Sequence, residues 1–336
     1  MLKDHAAGTA DEILRVLRDS DRWLVLMHEK PDGDTAGCAI ALASLGVRLG
    51  KDVTLGCPEQ LPQRYLFMLR GIQHRVLDRI PDDFSGKGCV VISVDTSNPE
   101  RAVKEIEKAR ERCAVINIDH HPDNTWYGDI NWVEPDASAT GEMVTELLAR
   151  SEWGISPDEA RALYVAIVTD NGNFSFPSAS SRSHECAVIL VEAGAVPGVI
   201  NEELETSLSE NSLKLWGRAF ERARVFANGL CAVFWLAGAD FQETGTTKQD
   251  TENLVNFLLR IRGVKLAALC GDTGCGVRVN LRSRFPLNAR DVAVRFGGGG
   301  HALASGCTIY EPLDDALSAL MAEMERHASS CIPGVK

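Results

Sequence analysis

The segment "NIDHHPD" (117–123) sets Asp119, His120 and His121 in a row directly after an apolar run. Two other apolar runs end the same way. "VLMHEKPDGD" supplies His28, Asp32 and Asp34, and "VVISVD" ends at Asp95. A lone aspartate at a strand end is more often a turn former or helix cap than a catalyst, and Asp119 alone would be read as a cap. Three such ends together are different, because clustered anions repel and are expensive to hold without a compensating cation. Oxygen and imidazole donors without cysteine suit Mn²⁺, Mg²⁺, Fe²⁺ or Co²⁺ better than a structural zinc. About six or seven donors exceed the needs of one catalytic ion. Two ions roughly 3.5–4 Å apart, sharing a carboxylate, fit better, and such pairs activate water for hydrolysis.

The elements around these residues should bring them together. "RWLVLMH" (22–28), "KDVTLGC" (51–57), "GCVVISVD" (88–95) and "CAVINID" (113–119) read as strands whose continuous apolarity implies burial on both faces. Helical patterns over 35–50 and 98–112 separate them. Strands alternating with helices predict a doubly wound, mainly parallel α/β sheet, in which all strand ends share one edge and ligands bind there. Helices follow over 137–150, capped by Ser138 or Thr140, over 156–172, capped by Ser156 with Pro157 at the first turn, and over 181–194.

The polar stretch 196–224 reads as a helical linker, dividing a first domain (1–195) from a second, smaller α/β domain (225–336). In the second domain the pattern restarts with strands at 229–237, 265–272, 276–284 and 307–310 and helices at 248–263, 288–296 and 312–328. Length supports two domains, since 336 residues can bury two cores. With 45% hydrophobic and 24% charged residues, the composition is that of an ordinary soluble protein, and no signal peptide or membrane span is visible, so a cytoplasmic protein is expected. The ten cysteines follow no zinc spacing and read mostly as reduced core residues. A net charge of −12 argues against binding a long nucleic acid duplex, whose affinity comes from neutralised phosphates, but not against a short nucleotide.

The ordered set "HEKPDGD", "VD", "DHH" and "TDNGNF" resembles the four motifs of the DHH phosphoesterase superfamily, and "GGGGHALASGC" (297–307) resembles the signature of its DHHA1 companion domain. These motifs run from residue 28 to residue 307. The resemblance implies two divalent metals, most simply Mn²⁺ with Mg²⁺ or Co²⁺ as alternatives. His28, Asp32 and Asp95 would hold one; Asp34, Asp95, His120 and Asp170 would hold the other, with Asp95 bridging. It further implies that His121 faces the substrate phosphate and that Asp119 orients its neighbours. Asp170 closes a helix, where the macrodipole disfavours a carboxylate, and a metal partner would explain it there.

The glycine run, read alone, is either a mobile hinge or a set of backbone N–H groups offered to an anion ahead of a helix start. Arg282 and Arg284 lie two apart on one strand, where they are either solvated or positioned to clasp a phosphate. The family resemblance favours Arg282, Ser283, Gly298, Gly299, Gly300 and His301 as substrate contacts.

Within the superfamily the chain is similar to the NrnA-type oligoribonucleases. That implies hydrolysis of short RNA oligonucleotides or linear dinucleotides such as pGpG or pApA, removal of the 3′-phosphate from 3′-phosphoadenosine 5′-phosphate (pAp), and a homodimer. RecJ-like single-strand exonucleases, pyrophosphatases and a nucleotide-binding regulator with a decayed metal site are the alternatives. Asn171 and Ser175 depart from common family patterns and bear on substrate choice.

Overall fold

The computed structural model describes residues 4–205, 209–251 and 253–331. Residues 206–208, in the expected linker, and 252, in the expected helix over 248–263, lie outside the described residues. The chain divides into two compact units, Met1–Ser207 and Leu208–Lys336. Among the described residues no single helix is long and apolar enough to cross a membrane.

The first unit is built on six parallel strands, β1 (Arg22–Leu26), β2 (Asp52–Cys57), β3 (His74–Val76), β4 (Cys89–Val94), β5 (Ala114–Asp119) and β6 (Ile130–Val133). Their spatial order is β3-β2-β1-β4-β5-β6. The order reverses between β1 and β4, the switch point at which open α/β sheets leave a crevice beyond their C-terminal ends. All six residues of β4 are buried, as an unbroken apolar run requires when both faces are covered. The helices are α1 (Asp4–Asp19), α2 (Gly33–Arg48), α3 (Thr140–Arg150), α4 (Pro157–Asp170), α5 (Ser181–Glu192) and α6 (Pro197–Glu205).

Small residues let α2, α3 and α4 approach closely. A β-carbon at Gly37 would stand 2.3 Å from the Ala162 carbonyl oxygen, one at Gly33 2.1 Å from Thr169 Oγ1, and one at Gly141 2.7 Å from Ala166 Cβ. Glycine is therefore required at these three positions by close helix packing, and the packing brings the start of α2 against the end of α4. At its other end α4 begins as expected, with Ser156 and Glu159 exchanging hydrogen bonds in a capping box and Pro157 at the first position.

The expected helix over 98–112 is not formed. Two short 3₁₀ segments, Pro99–Arg101 and Ile106–Glu111, take its place. Glu105 has φ 65°, which breaks a right-handed helix, and the Lys104 N–H donates to Asp78 O in a strand-like bridge. The apolar residues are buried all the same: Val103, Ile106 and Ala109 pack with Leu24 and Val91 on the second face of the sheet. Strands β3 and β6, at the two edges, carried no clear pattern in the sequence.

The second unit has a six-stranded sheet in the order β11-β12-β10-β9-β8-β7. Its strands are β7 (Arg224–Phe226), β8 (Cys231–Leu236), β9 (Leu266–Asp272), β10 (Val277–Ser283), β11 (Gly299–Gly300) and β12 (Ala304–Ile309). Its helices are α7 (Glu210–Glu221), α8 (Gly238–Thr244), α9 (Ala289–Arg295) and α10 (Leu313–Cys331). The stretch read as a linker is shared between the units: α6 belongs to the first, while Leu215, Trp216 and Ala219 of α7 pack on Phe234 and Leu269 of the second. The expected helix over 248–263 is again two 3₁₀ segments, Lys248–Thr251 and Leu254–Arg260, with Asn253 at φ 62° between them. Along β10 the side chains alternate as the sequence requires, Val277, Val279 and Leu281 facing the core and Arg278, Asn280 and Arg282 the other side.

Gly37→Ala should lower stability by about 1–3 kcal/mol, because the added carbon meets backbone and not a yielding side chain. Helix propensity alone predicts a gain from the same change. A urea unfolding midpoint that rises would show that α2 and α4 are not held so close.

Candidate active site

The C-terminal ends of β1, β4 and β5 and the facing ends of α2, α3 and α4 converge on one point in the first unit. Here His28, Asp32, Asp34, Asp95, Asp119, His120, His121 and Asp170 are brought together. Three overlapping groups, each with donor atoms within 4.8 Å of one another, could hold a metal ion: His28, Asp32 and Asp95; Asp34, His120 and Asp170; and Asp95, His120 and His121.

His28 follows β1 and is buried. Its Nε2 lies 3.8 Å from Asp32 Oδ1 and 3.5 Å from Asp95 Oδ2, while Nδ1 is 2.5 Å from the Glu29 carbonyl. His120 is arranged alike: Nδ1 lies 3.1 Å from Ala137 O, and Nε2 lies 3.6 Å from Asp95 Oδ1 and 3.5 Å from Asp170 Oδ2. In the neutral ring, a backbone carbonyl accepting from Nδ1–H leaves the Nε2 lone pair aimed into the cluster, the arrangement a metal-ligating histidine needs.

The carboxylates are positioned by backbone geometry. Asp32 caps α2, accepting from the Asp34 and Thr35 amides at 3.1 and 3.2 Å. Asp34 is buried, and its carboxylate accepts from the Thr140 and Gly141 amides at 2.6 and 2.9 Å and from Cys38 Sγ at 3.4 Å. Helix α3 therefore has no side-chain cap of its own: Ala139 stands at the N-cap, and neither Ser138 nor Thr140 serves as the sequence suggested. The free amides of its first turn are spent on Asp34. Ser138 instead donates to the buried Glu142 at 2.6 Å. Asp95, also buried, has φ 54°, a left-handed conformation that aspartate tolerates better than most residues. Its Oδ1 accepts from Thr140 Oγ1 at 3.2 Å.

The electrostatics reflect crowding. Burial raises the proton affinity of Asp34 well above the usual carboxylate range, and the neighbouring Asp95 and Asp170 raise it further. Asp170 is pushed up to about 7, by burial first and by Asp95 and Asp32, with His120 pulling the other way. Burial opposes charge on His28, but Asp32 and Asp95 outweigh it and carry the ring up to about 10. These groups hold protons where a divalent cation could sit. Buried oxygens and imidazole nitrogens with no thiolate among them are a donor set that fits such an ion.

Asp119 is more than a turn cap. It is fully buried, its Oδ1 lies 2.7 Å from His121 Nδ1, and its Oδ2 accepts from Asn124 at 2.6 Å. His121 is thereby fixed through Nδ1, and its Nε2 has no partner among the described residues. Burial works against charge on this ring, yet Asp119 and Asp95 raise it to about 9. Arg101 is near enough for its charge to oppose that rise. Arg101 was not singled out in the sequence and Thr140 was read only as a candidate helix cap, because nothing in "NPER" or "SATG" separates them from ordinary helix-start residues. Asn171, at the end of α4, is buried; its Oδ1 accepts from the Phe174 amide, and its Nδ2 has no partner among the described residues. Ser175 is exposed and donates to the Gly172 carbonyl.

In the second unit Arg282 lies opposite Ala267 of β9 and Ala304 of β12, flanked by small side chains. Burial lowers its pKa, and one guanidinium nitrogen donates to Leu281 O at 3.0 Å. His301 is exposed in the tight turn joining β11 to β12, where its N–H donates to Ala304 O at 2.8 Å. Ser283 does not share this face. It is buried, its hydroxyl donates to Ala302 O and accepts from the Ala289 amide, and so it fastens the turn to the start of α9. Arg284 lies beyond the end of β10.

The glycine run is neither a hinge nor the approach to a helix. It follows α9 and becomes the edge strand β11. Gly298 donates its N–H to Ala293 O, so that amide is not free for a ligand. A β-carbon at Gly298 would stand 2.2 Å from Gly306 O, and Gly300 has φ 130°. Gly299 and Gly300 are exposed.

Two families match this chain: residues 22–167 match the DHH family, N-terminal domain, and residues 228–328 match the DHHA1 domain. The Bacillus subtilis bifunctional oligoribonuclease and PAP phosphatase NrnA is 28% identical over 323 residues, covering 94% of this chain and 97% of that protein. The Thermus thermophilus protein of the same name is 27% identical over 289 residues, covering 85% and 83%. Among solved structures, an exopolyphosphatase-related protein from Bacteroides fragilis has a TM-score of 0.89 at 23% identity, covering 98% of this chain and 99% of that one, a likeness of fold.

Added Mn²⁺ should raise the thermal unfolding midpoint, since a cation bound only by the folded chain contributes about 2.7 kcal/mol at a hundred times its Kd. Thr140→Val keeps the amide to Asp34 but removes the hydroxyl from Asp95. It should raise the Mn²⁺ concentration needed for half of the shift by about 10–100-fold. An unchanged titration would remove Thr140 from the support of the site.

Proposed function

This chain belongs to the DHH family by its N-terminal domain and carries a DHHA1 domain, and we propose that it is a metal-dependent hydrolase of phosphoester bonds in short RNA oligonucleotides and linear dinucleotides such as pGpG or pApA, and of the 3′-phosphate of pAp. The observation that carries the reading is the convergence of His28, Asp32, Asp34, Asp95, His120 and Asp170 on one crowded point at the sheet's switch, with Asp95 shared between groups. Support for the substrate class comes from the relatives' names, which join oligoribonuclease and PAP phosphatase.

In this reading His28, Asp32 and Asp95 hold one divalent cation and Asp34, Asp95, His120 and Asp170 a second, Mn²⁺ being the first to test. Bound there, the cations supply a water of lowered pKa and offset negative charge on the leaving oxygen. The remaining steps fall to the chain. Backbone carbonyls behind His28 and His120 keep both rings turned inward, and the first turn of α3 holds Asp34 in place. His121, locked through Nδ1 on Asp119, offers Nε2–H to a non-bridging phosphate oxygen. Arg101 adds positive charge beside it. In the DHHA1 domain the guanidinium of Arg282 and the ring of His301 are the groups we assign to substrate binding, where binding energy can be spent on orientation. Ser283 serves this face by holding the turn and does not touch the ligand.

The test is Mn²⁺-dependent turnover of 5′-phosphorylated RNA dinucleotides, a longer single strand, pAp and pyrophosphate in one format. Preference for the dinucleotide or pAp is expected; preference for the long strand or for pyrophosphate would replace this reading with a RecJ-like or pyrophosphatase-like one. Asp95→Ala should abolish turnover of every substrate, and surviving activity would sink its shared role. Arg282→Ala should raise KM for dinucleotides well beyond its effect on a generic phosphodiester. Equal effects on both would take Arg282 out of substrate recognition.

A further inference from the structure

The second unit contains a cavity of about 520 Å³ that the reading above does not use. It opens near the start of β10, at Arg278 and Asn280, with Arg282 four residues further along the strand. Its volume falls within the roughly 300–1,000 Å³ usual for small-ligand sites.

The two cationic side chains lining it, Arg278 and Lys248, are unspent among the described residues. The side chain of Arg278 makes no hydrogen bond or ion pair with any described residue, and its Nε is buried without a partner. This contrasts with Arg218 and Arg222 of the same unit, both of which pair with Asp240. The exposed ammonium of Lys248, on the cavity's rim, is likewise unpaired among the described residues. Asp272 is the one acidic lining group, and its Oδ1 is engaged by the Gly274 amide at 2.8 Å. Two cations against one carboxylate leave the cavity positive in a chain whose net charge is −12. Positive charge held without a protein partner is what an anion site requires, since a half-buried guanidinium is costly to leave unsatisfied.

The rest of the lining is suited to a flat ring. Phe241 and Leu269 supply apolar surface, and Gly271 lies under the edge of the Phe241 ring, where a β-carbon would stand 3.9 Å from its Cζ. Gly306 lies beneath Arg278, where a β-carbon would come within 3.1 Å of a guanidinium nitrogen. The small residue leaves the planar cation room to lie on the sheet. The amides of Asn280 and Gln242 add donors and acceptors at the same cavity.

We propose that this cavity binds a nucleoside monophosphate, with Lys248 and Arg278 on the phosphate, Phe241 and Leu269 against the base, and Asn280 and Gln242 on its polar edge. The choice of a nucleotide among phosphomonoesters rests on the proposed function, whose products are mononucleotides. All of these residues belong to the second unit, and none is among the metal-binding groups.

The test is calorimetry on the full chain in excess EDTA, with AMP, inorganic phosphate and adenosine as probes. AMP should bind, and Arg278→Gln and Lys248→Gln should each weaken it by about tenfold or more, as expected for a lost charged hydrogen bond. Lys248 is exposed, so its replacement keeps the test valid even if Arg278→Gln unfolds. No AMP binding, or binding untouched by Lys248→Gln, overturns the proposal. Phosphate binding as tightly as AMP, with adenosine showing no binding, overturns the nucleoside half. If the chain hydrolyses none of the substrates above but AMP binding falls in both variants, the proposed function fails and the cavity site stands; active enzyme without AMP binding is the reverse.

Discussion

The structure depends on holding several carboxylates close together away from water. Asp34 and Asp95 are buried, and Asp170 approaches the same ring of His120 that they do. Anions so placed raise one another's energy unless protons, amides or a cation offset them. Each device around the site answers this demand. The first turn of α3 turns its unpaired amides on Asp34, the hydroxyl of Thr140 reaches Asp95, and the proton affinities of Asp34 and Asp170 rise through burial and neighbouring carboxylates.

The same demand explains the packing behind the site. Asp34 and Asp170 can meet only if the start of α2 touches the end of α4, and the glycines at 33 and 37 remove the side chains that would keep the helices apart. The aspartates and histidines at the ends of β1, β4 and β5 need no such help, because parallel strands bring them to one edge. Rigid backbone thus sets most of the donor positions. The ring of His121 is oriented by a buried carboxylate, Asp119, where the rings of His28 and His120 are oriented by backbone carbonyls.

In the second unit the sheet divides its labour by face. One face buries Val277, Val279 and Leu281 under α9 and α10, and the other presents Arg278, Asn280 and Arg282 between strands rich in glycine and alanine. Small neighbours leave room for a ligand where larger side chains would have filled the space. The glycine run serves this sheet as an edge strand in contact with β12, so its lack of side chains is needed for pairing before it can serve binding.

Much of this was legible in the chain itself. Unbroken apolar runs declared buried parallel strands, and the acids and histidines following them had to converge, because a strand's direction fixes where its end lies. Alternation along 277–283 likewise separated Arg282 from the core. Tertiary structure decided what local pattern leaves open. Residues 98–112 have helical spacing, yet Glu105 turns left-handed and Lys104 pairs with Asp78, because burying Val103 and Ile106 on the sheet outweighs propensity. Thr140 gains its place only when α3 meets Asp34, a residue 106 positions earlier, and Ser283 is turned away from the face of Arg282 because the strand's two-residue period points it inward. Sequence determines which groups are present and which way a strand presents them; long-range packing determines which of them touch.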